Sequence, residues 1–112
     1  MFGRGPPQPV DKPWVVGSRN PGLIYQVIGG HAGDVKSCYE RGLSGNADLA
    51  GRVSVEFIIA PTGRVMNVAV RESTLGNPPI EECVLQSVRG WAFPAPEGGG
   101  MVIVGYPFHF LR

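Results

Sequence analysis

Hydrophobic and polar positions alternate along this chain with two different periods. From Pro21 to about Gly45, the residues Leu23, Ile24, Val27, Ile28, His31, Val35, Cys38, Tyr39 and Leu43 recur every three or four positions. That spacing predicts an amphipathic helix. Pro21 suits its first turn and Asn20 its N-cap. Gly29, Gly30 and Gly33 each cost about 1 kcal/mol relative to alanine, so packing must hold this helix and a kink is expected near residues 29–33. From Arg52 the period changes. Val53, Val55, Phe57 and Ile59 alternate with Arg52, Ser54, Glu56 and Ile58, as in a strand with one buried face. Pro61-Thr62-Gly63 marks a turn, with proline presetting φ and glycine taking the left-handed position. Met66, Val68 and Val70 form the apolar face expected of the returning strand. A three-residue loop would set Asn67 and Ala69 opposite Phe57 and Val55, so a four-residue loop or a bulge is expected.

Asn77-Pro78-Pro79 opens a second helix, with Glu81 and Glu82 in the first turn where the helix dipole favours acids. Its buried stripe reads Ile80, Cys83 or Val84, Ser87 or Val88, and Trp91. Pro94 and Pro96 stop it, and Gly98-Gly99-Gly100 leads into the last strand. In Met101 to Phe110 the even positions Val102, Val104, Tyr106, Phe108 and Phe110 form an apolar face, leaving Met101, Ile103, Gly105 and His109 on the other. Pro107 has no N–H for a neighbouring strand, which argues for a sheet edge. An edge is an unused pairing template. The fold class expected is α+β, with two helices on one face of a three-stranded antiparallel sheet in the order α-β-β-α-β. Residues 1–20 hold Pro6, Pro7, Pro9 and Pro13 and show no period. They read as a linker or tail ahead of a domain over 21–112, although Trp14-Val15-Val16 has the character of a short strand that can dock.

The 112 residues suffice for one core. A net charge of +1 with dispersed Lys and Arg gives nucleic acid nothing to bind through bulk electrostatics. No apolar run reaches the roughly 20 residues of a membrane span, and the first residues lack a signal-peptide core. The chain therefore reads as a cytosolic protein or as a domain excised from a larger exported one. Two Cys and two His at no zinc-ligand spacing leave no metal site, and no cofactor is expected. His31 reads as a core histidine and His109 as solvated. Gly98-Gly99-Gly100 precedes a strand and lacks Lys-Ser/Thr, so it is not a phosphate loop. Glu81 and Glu82 serve the dipole rather than forming an acid–base pair. Trp91 and Phe93 read as core. No catalytic residue emerges, and an enzyme is not expected.

Several short motifs in order resemble the TonB C-terminal domain. They are Cys38-Tyr39-Glu40, Gly51-Arg52-Val53-Ser54-Val55-Glu56-Phe57, Thr62-Gly63-Arg64-Val65, Glu72-Ser73-Thr74-Leu75, Cys83-Val84, Trp91-Ala92-Phe93-Pro94 and Tyr106-Pro107-Phe108. The resemblance runs from about Leu23 to Phe110 and is closest to the cysteine-containing AgmX-type variant of myxobacterial gliding-motility proteins. It implies the same fold, a periplasmic location and a place at the end of an inner-membrane-anchored protein. It also implies that a short peptide of an envelope or outer-membrane partner adds as a strand beside the final strand, at the edge of a 2-1-3 sheet. The partner-binding edge would then be Met101, Val102, Ile103, Val104, Gly105 and Tyr106.

Cys38 and Cys83 fall on the stripes of different helices and are either a disulfide clamp or two buried thiols. The even count and the implied periplasmic compartment favour the disulfide. The function expected is a non-catalytic interaction module linking an inner-membrane energy-transducing or motility complex to the envelope. The alternative is a scaffold domain that self-associates through the same edge.

Overall fold

The computed structural model describes residues 9–45 and 48–111, so the first eight residues of the linker expected over 1–20 lie outside it. The elements in chain order are β1 (Trp14–Val16), α1 (Pro21–Gly30), α2 (Ala32–Leu43), β2 (Gly51–Ile59), β3 (Val65–Ser73), α3 (Pro78–Arg89) and β4 (Val102–Phe110). The four strands form one antiparallel sheet in the order β1-β4-β2-β3.

Two expectations need correction. The sheet has four strands rather than three, because Trp14–Val16 joins it. Among the described residues the helices number three, because the first amphipathic stripe is broken at His31. The break falls inside the glycine cluster that predicted a kink. At the joint the His31 N–H bonds back to Ile28 O at 3.0 Å, and the Asp34 N–H to His31 O at 3.0 Å. The His31 ring stacks on Trp91 with centroids 4.8 Å apart, and Asp34 Oδ2 lies 3.1 Å from His31 Nδ1. Trp91 Nε1 donates to the same carboxylate at 3.3 Å. His31 is therefore half-exposed at a joint, not a core histidine as expected. A ring stacked on Trp91 keeps its other side open to water.

The core lies between the helices and one face of the sheet. Val53, Val55, Phe57 and Ile59 from β2 meet Val102, Val104, Phe108 and Phe110 from β4, with Ile80, Val84 and Val88 of α3 above them. Trp91 and Phe93 are buried as expected, Phe93 against Phe57 at 5.6 Å and Trp91 edge-on to Phe108 at 6.2 Å. Asn77 caps α3 by accepting from the Ile80 N–H at 3.1 Å, while Asn20 makes no side-chain bond at the start of α1. Cys38 and Cys83 are joined by a disulfide across α2 and α3, with Cα atoms 5.7 Å apart. Closing 45 residues of chain is worth about 4 kcal/mol in the chain-entropy model.

The hairpin settles the register question in favour of bulges. Val65 pairs with Ile59 and Met66 with Ile58, but Ala69 pairs with Glu56, so β3 carries an extra residue there. Asn67 takes it up with φ of 52°. The parity of β3 flips at that point. Val65, not Met66, is buried beside Ile59, and Met66 is left exposed on the far face, whereas Val68 and Val70 pack against the core as expected. A second register shift follows between Ser54 and Val55. Gly63 has φ of 91°, a Cβ there would collide with the Phe93 carbonyl, and the Gly63 carbonyl oxygen accepts from the Phe93 N–H at 3.0 Å.

Candidate partner-binding edge

β4 pairs with β2 through nine successive residues, from Gly51–Phe110 to Ile59–Val102, without a register shift. A strand this regular presents an equally regular row of backbone groups on its other side. Val102, Val104, Phe108 and Phe110 are buried toward the helices, Tyr106 half-buried, and Met101 and His109 exposed, as the alternation predicted. Tyr106 sits between rings, 5.0 Å from Phe108 and 6.3 Å from Tyr25. Burial, and then the neighbouring Tyr106, push the Tyr25 hydroxyl above its ordinary pKa.

The edge expected to stand free from Met101 to Tyr106 is partly taken. β1 runs antiparallel along it, pairing Trp14 with Gly105, Val15 with Val104 and Val16 with Ile103. The inference from Pro107 to an edge is corrected accordingly: β4 is second in the sheet, and Pro107 lies opposite Ser54, two residues beyond the last pair with β1. Met101 precedes β4, and Met101, Val102 and Tyr106 have no pair with β1.

The cover is more than a ladder. The Trp14 indole lies over Gly105, so close that a Cβ added to Gly105 would stand 2.1 Å from Nε1 and 2.2 Å from Cε2. Only glycine leaves that notch in a strand. The indole Nε1 donates to Pro9 O at 3.0 Å, which folds residues 9–14 back on themselves. Ser54 Oγ donates to Val10 O, and Ser54 is buried although it faces away from the helices. Pro9, Val10, Lys12 and Trp14 thus lie across the helix-free face, in a shallow cleft lined also by Arg71 and Tyr106. Sequence reasoning placed neither Ser54 nor Trp14 in a site. The signal that was available is a glycine at the centre of an otherwise bulky strand, in a chain with only two tryptophans.

At the far edge, β3 carries no further strand among the described residues. Arg52 pairs with Glu72, and Arg71 with Glu56, so charged side chains dominate that side of the sheet. His109 is exposed on β4, and Glu82 accepts from Gln86 at 2.9 Å and pairs with Arg89 at 3.3 Å on the outside of α3. His109 lines a mostly apolar pocket between α2 and the end of β4, together with Lys36, Tyr39 and Glu40.

Known proteins place this architecture. The family model described as the Gram-negative bacterial TonB protein C-terminal matches residues 45–111. The solution structure of the Pseudomonas aeruginosa TonB C-terminal domain is similar, with a TM-score of 0.52 and 28% identity over 64% of this chain and 74% of that one. The Helicobacter pylori TonB C-terminal domain, residues 179–285, shares the fold with a TM-score of 0.53 and 21% identity, over 83% of this chain and 88% of that one. A comparison with curated protein sequences finds no match. With the family model spanning more than half of its residues, the chain belongs to the TonB C-terminal domains, periplasmic protein-interaction modules without catalytic activity.

Proposed function

We propose that this domain links an inner-membrane energy-transducing or motility complex to an outer-membrane or envelope protein, by adding a partner strand along β4 between Met101 and Tyr106. Main-chain hydrogen bonds supply affinity in such an addition, and side-chain seats set its register. One observation carries the reading: this stretch of β4 already accepts an antiparallel strand, in the shape of β1. The nine-residue ladder with β2 holds the accepting backbone straight. The bonded cysteine pair is the feature that the AgmX-type variant would share, so motility stands beside transport as the process served.

Position-dependent crosslinking in the native periplasm tests this. A photoreactive residue at Met101 or Ile103 should trap an envelope protein, and one at Met66 or Ala69 on the other edge should not. Trapping from β3 alone would move the partner to the wrong side of the sheet for this reading.

A further inference from the structure

The segment on β4 is unusually well fitted for something so short. β1 has three residues, pairs with β4 alone, and contributes nothing to the fully buried core, whose first member is Ile24. Val15 is half-buried against that core, and Val16 is exposed. A three-residue strand is too short to hold an edge by its ladder alone. Its hold comes from the indole in the Gly105 notch, the Trp14–Pro9 bond that shapes the loop, and the Ser54–Val10 bond that pins it. Both of its ends are fixed by local chemistry. Pro13 precedes it, and Gly17 follows with φ of 95°, its Cα facing Met101 O so closely that a Cβ would stand 2.8 Å from that oxygen.

We propose that β1 is a resident pseudo-ligand: it caps the β4 edge in cis, and the partner peptide that replaces it carries an aromatic side chain that seats on Gly105. This rests on strand addition at β4 and adds to it the occupant that must leave and the residue class that the incoming strand must present. The recognition unit is an extended segment of the form aromatic, β-branched, β-branched, read antiparallel against Gly105, Val104 and Ile103. Glycine at 105 excludes nothing aromatic and rewards it, because a flat ring covers bare backbone that a small side chain leaves wet. The cap lowers apparent affinity by the fraction of molecules in which it has opened. Its opening takes only the half-buried Val15 from the hydrophobic core and uncovers Ser54 and Gly105 on the other face, while the buried apolar residues from Ile24 onward keep one another.

The test uses the full chain and a labelled peptide copying residues 9–17. Trp14→Ala should leave the fold intact by circular dichroism and speed amide exchange at Ile103 and Gly105. It should tighten peptide binding at least about tenfold over the unaltered chain, by removing the competitor. The same peptide with alanine at its tryptophan should bind the Trp14→Ala chain at least about tenfold more weakly than the tryptophan peptide. Gly105→Ala should also free the edge, because its Cβ expels the indole, but should abolish the preference for the tryptophan peptide.

Equal binding to the unaltered and Trp14→Ala chains would overturn the cap while leaving strand addition at β4 in place. Equal binding of the two peptides would overturn the aromatic seat. If exchange shows the edge open and neither peptide binds, strand addition at β4 itself is wrong. Unfolding of Trp14→Ala, unchanged exchange, or a dimer of the unaltered chain that exchanges β1 between copies would each overturn the cis cap.

Discussion

The β3 edge of the sheet is nine residues long and open among the described residues, while the β4 edge, equally long, is covered near its N-terminal end by a strand of three. The difference tracks their regularity. β3 is bulged twice against β2, takes a positive φ at Asn67 and carries Arg71 and Glu72, all of which spoil it as a template. β4 is unbroken in register and flanked by apolar side chains, which makes it the edge most able to recruit a strand. An irregular edge protects itself, and a regular one needs a lid.

The largest effect expected is one that should leave this contrast alone. Replacing Cys38 and Cys83 together by alanine should lower stability by about 2–4 kcal/mol in urea unfolding, because the clamp joins α2 to α3 behind the sheet. Exchange at β3 and β4 should accelerate together. Faster exchange at one edge only would mean that the helix layer supports the two edges unequally.

Next in size is Gly63→Val, which strains a left-handed position and pushes a side chain into the Phe93 carbonyl. A loss of about 2–3 kcal/mol is expected, with β3 amides exchanging sooner than those of β4. A neutral result in denaturant titration would contradict the turn geometry.

The contrast itself is tested more sharply by Asn67→Val. A β-branched residue resists φ of 52°, so the bulge is destabilised by about 1–2 kcal/mol. A straightened β3 would also become a template, and concentration-dependent association should appear in sedimentation. Monomeric behaviour up to high concentration would show that the Arg71 and Glu72 charges, not the bulge, guard that edge.

The smallest effect belongs to the β4 side. Tyr25 has a raised pKa in the folded chain, from burial and then from Tyr106, so its neutral form is favoured by the fold. The associated stability is complete below the ordinary tyrosine value of 10.0 and is lost as pH climbs through and above it. Phenolate absorbance of Tyr25 should therefore rise later than that of free tyrosine, and Tyr106→Leu should bring it back toward the ordinary value.

How much of this was legible in the chain varies with the distance over which each feature is decided. The stripes of α1, α2, α3, β2 and β4 are local, and their periods placed them within a few residues. The split at His31 was foreshadowed by three nearby glycines. The parity of β3 was not, because Met66 and Val65 are equally apolar and only the position of the bulge at Asn67 chooses between them. β1 was recognisable as a short strand that can dock, but not which edge it docks on, since three residues beside a proline carry no period. The Gly105 notch and the burial of Ser54 depend on residues more than forty positions away in sequence. Their pairing has no local trace, and the period alone only places Ser54 and Gly105 on the face away from the core.

One consequence of β1 is mechanical. It is the stretch through which any pull on the N-terminal side of the chain reaches the folded domain, and it lies directly on the strand proposed to hold the partner. Tension applied ahead of Val10 loads the Ser54–Val10 bond, a ladder of three pairs and one indole contact before it loads the core, which begins at Ile24. The nine pairs between β4 and β2 share such a load and outlast it. Pulling therefore strips the lid from β4 well before it threatens the domain, and a taut chain is one whose capture surface lies bare.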